Sequence, residues 1–155
     1  MSRFVPEVEQ LLRLAGWFPG RRIEDARIDA WASEIESPEG FRMTPAARRV
    51  LSEFGGLHVK PQTVVGRDRA RSDIKFNPRS GIGEEIQITD WLSPDALGRG
   101  FFPIGAASKS YLVCAVDSAG GFYAWFDGMH WKGEPFDQAL EQLLLGIDPT
   151  KDVSS

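Results

Sequence analysis

Residues 44–59 read TPAARRVLSEFGGLHV, and the order of signals inside this stretch decides the fold. Thr44 is a good N-cap and Pro45 a good first helical residue. Ala47, Val50, Leu51 and Phe54 follow at i, i+3, i+4 and i+7, which predicts a helix that buries this stripe. Gly55 falls one residue past the stripe, at the position where helices end. The residues after it, LHV, have the composition of a short strand. A phosphate-binding glycine loop needs the reverse order, with a strand before the glycines and a helix N-terminus after them. Here the glycines meet a helix C-terminus, whose partial negative charge repels phosphate. Gly55-Gly56 is therefore read as a chain reversal from helix into sheet.

Two more helices are predicted upstream. FVPEVEQLLRLAGW places Val5, Val8, Leu11, Leu12 and Ala15 on one helical face, with Pro6 in the first turn and Gly16 as the left-handed stop. The next stretch places Ile28, Trp31 and Ile35 at i, i+3 and i+7 before SPEG interrupts it. Downstream, LHV and QTVVG read as short strands, and IGEEIQITDWL leans to helix. From Phe101 the sheet signal dominates. SYLVCAV is apolar on both faces, as in a central strand covered on both sides or lying at an interface, so homodimerisation stays open. DSAGG is a turn, FYAWF the return strand, and GMHWKG a third antiparallel strand. Pro135 opens a last helix with Phe136, Leu140, Leu143 and Leu144 as its stripe and Gly146 as its stop. Helices segregated from an antiparallel meander make an α+β single domain, with N-terminal helices, a central sheet and a closing C-terminal helix. The domain is expected over 4–146, with 147–155 a polar, flexible tail.

Composition fits one soluble globular domain: the chain has 155 residues, 42% hydrophobic and 26% charged. MSRFVPEVEQ has no apolar run of signal-peptide length, and no segment approaches the ~20 apolar residues of a membrane span. A cytoplasmic location is expected, and the lone Cys114 fits a reducing compartment. The net charge of −4 hides an asymmetry. Residues 1–83 hold 14 Lys/Arg against 11 Asp/Glu, and residues 84–155 hold 4 against 11. The halves thus carry +3 and −7, a split that fits either a one-signed surface facing an oppositely charged partner or a solvated acidic face with none.

Catalytic signals are missing. His58 and His130 lack a second ligand at helical or hairpin spacing, so no metal or other cofactor is expected. Cys114 lies mid-strand between Val113 and Ala115, where a buried inert thiol is the ordinary outcome. No nucleophile elbow, zinc-protease or P-loop motif occurs. Glu84 and Glu85 are adjacent, so on a helix their side chains diverge by ~100° and form no acid/base pair by spacing.

Five segments occur in a familiar order: LLRLAGWFPGRR, FGGLHV, FFPIG, VDSAGGFYAW and EPFDQALEQLLLGI. In this order and register they resemble the SUKH superfamily of bacterial immunity proteins, and within it the third immunity subfamily. The resemblance runs from about Phe4 to Gly146. It implies an α+β fold without enzymatic activity and a cognate polymorphic-toxin domain as protein partner. Such toxins are often nucleases or nucleic-acid deaminases. The motifs that carry the resemblance are turns and core, so the binding face is expected elsewhere. An inhibitor that plugs a phosphate-binding cleft offers carboxylates and an aromatic anchor. The candidates are Glu84, Glu85, Asp90 and Trp91 in the middle of the chain, and Asp127, Trp131 and Glu134 around the last hairpin, with a core position the competing reading for each tryptophan.

Two rival classes differ in what they predict. A nucleic-acid-binding module would use Arg67, Arg69, Arg71 and Lys75, alternate residues that share a strand face. The pI of 5.2 and the interleaved Asp68 and Asp73 oppose it, so direct nucleic-acid binding is not expected. A regulatory adaptor of the same fold would bind a peptide or protein without any toxin.

Overall fold

The computed structural model describes residues 3–36, 41–61, 72–81, 100–108, 111–125 and 129–146. Among them, three helices come first: α1 (Pro6–Ala15), α2 (Asp25–Ile35) and α3 (Pro45–Phe54). Two short strands follow, β1 (His58–Val59) and β2 (Ile74–Lys75), then a 3-10 turn over Pro78–Gly81. Four longer strands complete the sheet: β3 (Phe101–Ala107), β4 (Leu112–Asp117), β5 (Gly121–Trp125) and β6 (Met129–Pro135). Helix α4 (Phe136–Leu145) closes the domain. All neighbouring strands pair antiparallel in sequential order, an α+β meander.

The helix ends follow local chemistry. The Thr44 side chain accepts a hydrogen bond from the Ala47 N–H, satisfying one orphan donor of α3. At the end of α1, Gly16 takes φ 113°, and its N–H bonds to the Arg13 carbonyl while the Trp17 N–H bonds to the Leu12 carbonyl. That pair of bonds is a Schellman motif. Gly146 ends α4 at φ 71°. Val5, assigned to the buried stripe of α1, is instead its exposed N-cap residue.

The double glycine turns the chain by a division of labour between its two residues. Gly55 is not left-handed (φ −52°); Gly56 is, at φ 84°. The Gly56 N–H donates to the Phe76 carbonyl, and the Phe76 N–H donates to the Leu57 carbonyl, both at 2.8 Å. Two residues thus oppose one, with a left-handed glycine first: a G1 β-bulge that joins α3 to β1. Gly55 is needed for space, because a Cβ there would strike the Leu51 carbonyl oxygen and crowd Ile23 and Trp31.

The core forms where α1, α3 and α4 cover one face of the sheet. Phe54 is fully buried and packs against Trp17, Phe76 and Phe136, the last two at 5.3 Å between ring centroids. Phe136 meets Phe122 of β5, which in turn meets Trp131 of β6 edge-on. Each residue of β4 is buried, as its two apolar faces require. This burial is complete within one chain, so those faces are not an exposed surface.

Arg3 ties the two ends of the domain together. Its guanidinium donates to both Asp137 oxygens at 2.7 and 2.8 Å and to Glu53 at 2.5 Å. The Val5 N–H donates to Glu141 of the same last helix. Hydrogen bonding to Asp137, and then to Glu53, holds the Arg3 guanidinium above its ordinary range despite partial burial.

Candidate functional site

The carboxylate and tryptophan candidates divide sharply. Glu84, Glu85, Asp90, Trp91 and Asp127 lie outside the described residues. Trp131 does not reach the surface: it is fully buried, and its indole N–H donates to the Gln142 side-chain oxygen at 2.9 Å. Strand alternation places it on the α4 side of β6, where Phe122 packs against it. Trp131 is a core residue and offers no aromatic anchor to a partner. Glu134, half-buried near the end of β6, accepts the Lys132 N–H at 2.8 Å. A surface recess beside it, of about 480 Å³, is lined by residues that include Lys132, Gly133, Pro135 and Asp137.

Asp117, at the end of β4, is almost wholly buried and serves the β4–β5 turn. One carboxylate oxygen accepts the Ala119 and Gly121 N–H groups, and the other accepts the Tyr123 hydroxyl. It organises the hairpin rather than presenting charge to a ligand.

Cys114 is completely buried, and burial pushes its thiol far above the usual range, so it is no nucleophile. His58 pairs through Nε2 with the Asp73 carboxylate at 2.7 Å. Among the described residues, no three His, Cys, Asp or Glu side chains converge as a metal site. No described helix is long and apolar enough to cross a membrane.

One arrangement is invisible in the linear order. Arg27 of α2, His58 of β1, Lys75 of β2 and Arg79 of the 3-10 turn line a single cleft of about 440 Å³. Trp31 and Gly56 also line it. The Arg27 guanidinium sits 5.0 Å from the Trp31 ring centroid, a cation–π contact. It also lies against Gly56, where a Cβ would approach its nitrogens at 2.8 and 3.1 Å. Arg21 is nearby; burial, and then repulsion from Arg27, lowers its guanidinium from the ordinary value. Arg21 spends its donors on the Glu53 and Gly55 carbonyls at the end of α3, at 2.6 and 2.9 Å. A cation there also complements the helix dipole.

Comparison with curated proteins and with solved structures gave no match. A family model does match, described as SUKH-3 immunity protein, over residues 4–146. That span runs from the buried Phe4 through the double glycine and the whole meander to the stop of α4. With nearly the full domain matched, the chain belongs to the SUKH-3 immunity protein family, which implies a toxin-neutralising role.

Proposed function

We propose that this protein neutralises a cognate polymorphic toxin, a nuclease or nucleic-acid deaminase, by direct protein–protein contact in the cytoplasm and without catalysis. The observation that carries this reading is the family match across 4–146. Two features support it. Residues 84–155 hold 11 Asp/Glu against 4 Lys/Arg, a charge suited to the cationic cleft of a nucleic-acid enzyme. The candidate nucleophile Cys114 is sealed in the core.

The proposed contact surface is built from Glu84, Glu85, Asp90, Trp91, Asp127 and Glu134, without Trp131. A nanomolar complex requires about 12 kcal/mol, usually concentrated in a few residues. The test is calorimetric titration with the toxin domain encoded by the neighbouring gene, alongside rescue of cells expressing that domain. Charge reversal at Glu84, Asp127 and Glu134 together is expected to weaken binding at least 30-fold at low salt. Unchanged affinity sinks the acidic surface; failure of the wild-type protein to bind or rescue sinks the immunity reading for that toxin.

A further inference from the structure

We infer that the cleft between α2 and the β1–β2 edge docks an acidic segment, one carrying an Asp or Glu pair, of the partner protein. This rests on the toxin-binding reading and adds a second, oppositely charged contact to it.

The cleft is a cationic site that its own carboxylates leave unbalanced. Two of its four basic groups are engaged: Arg79 donates to Glu34 at 3.0 Å, and His58 meets Asp73. Arg27 and Lys75 have no carboxylate partner among the described residues, and both are exposed. Arg27 is oriented all the same, held over Trp31 and against the open backbone of Gly56. An oriented guanidinium beside an ammonium suits a pair of carboxylates, the first taken bidentate and the second as a point charge. At about 440 Å³ the cleft has room for a few side chains.

Nucleic acid fits less well. Duplex DNA brings one negative charge per ~1.7 Å, more than two unbalanced cations can meet. The carboxylates of Glu34 and Asp73 stand at the same site, and the chain as a whole carries −4. A short acidic peptide presents only the charges the cleft can answer.

The test uses the whole protein and a glycine–serine decapeptide with a central Asp–Glu pair, its Asn–Gln counterpart, and a random 12-base-pair duplex. Amide resonances are followed at 50 mM salt. The acidic peptide is expected to shift Gly56, His58 and Lys75, and the neutral peptide to leave them in place. The exposed double variant R27Q/K75Q is expected to lose at least tenfold in affinity while melting within a few degrees of wild type. No shift, shifts elsewhere, or equal affinity in R27Q/K75Q overturns the proposal. Tighter duplex binding, lost in the same variant, also overturns it and assigns the cleft to nucleic acid.

A toxin arm separates this idea from the immunity reading. If the neighbouring-gene toxin domain binds wild type and R27E/K75E equally, the cleft proposal falls and immunity stands. If the peptide binds the cleft but that toxin domain does not bind at all, immunity by that pair falls and the acidic-segment site stands.

Discussion

Trp131 gives its indole N–H to the side-chain oxygen of Gln142 at 2.9 Å, both residues buried between β6 and α4. Gln142→Leu removes that acceptor and is expected to destabilise by about 1–3 kcal/mol. Trp131→Ala adds a cavity and is expected to cost about 3–5 kcal/mol. Urea denaturation measures both. Toxin affinity per folded molecule should stay at the wild-type value in Gln142→Leu.

The glycines rank by what a methyl group would meet. Gly105→Ala drives a Cβ into the Lys75 carbonyl, in the backbone of β2 itself, and should be the most disruptive. Gly55→Ala strikes the Leu51 carbonyl and should cost about 1–3 kcal/mol, as overpacking does. Gly120, left-handed but with open space around it, should cost only the ~1–2 kcal/mol of backbone strain. Thermal melts that fail to follow this order contradict the packing described.

Asp117→Ala strips the acceptor from two backbone N–H groups and the Tyr123 hydroxyl. A loss of at least about 2 kcal/mol is expected. Tyr123→Phe removes a single bond of the set and should cost about 1 kcal/mol. Hydrogen exchange at Ala119 and Gly121 should quicken in the alanine variant and stay slow in the phenylalanine one.

Cys114 should resist alkylation in the native protein and react once unfolded, as burial holds the thiol neutral. The folded pKa is raised, so the stability it reflects is complete below the ordinary thiol value of about 8.5 and declines as pH rises beyond it. Cys114→Ala should flatten that alkaline decline. Rapid labelling of the folded protein at pH 8 contradicts this picture.

Most of the scaffold was legible because its signals are local. Thr44 and Pro45 mark the start of α3, Gly16 and Gly146 mark stops, and the two-faced apolar run of β4 marks a central strand. What escaped depends on tertiary placement. The stripe ending at Phe54 locates the end of α3, yet the bulge opposite Phe76 makes Gly56, not Gly55, the left-handed residue. In β2, Ile74–Lys75 is hidden by the charges around it, and Pro103 stands in β3 where the register against β4 shifts and beyond the reach of β2. A tryptophan in a hairpin strand has the same local sequence whichever way it points, so Trp131 could not be assigned to a face. The basic cleft draws on residues 27, 58, 75 and 79, which only the turn at the double glycine and the β1–β2 pairing bring together. Glu84, Glu85, Asp90, Trp91 and Asp127 lie outside the described residues.

The clasp between Arg3 and Asp137, with Phe136 closing over Phe54, has a consequence for biosynthesis. The first helices leave the ribosome with their aromatic cluster open on the side that α4 covers. That cluster is sealed only once residues 136–145 have been made. A nascent chain halted before Phe136 lacks that cover and should remain open to protease. In this immunity-family fold, the last helix to be made is the one that seals the aromatic core.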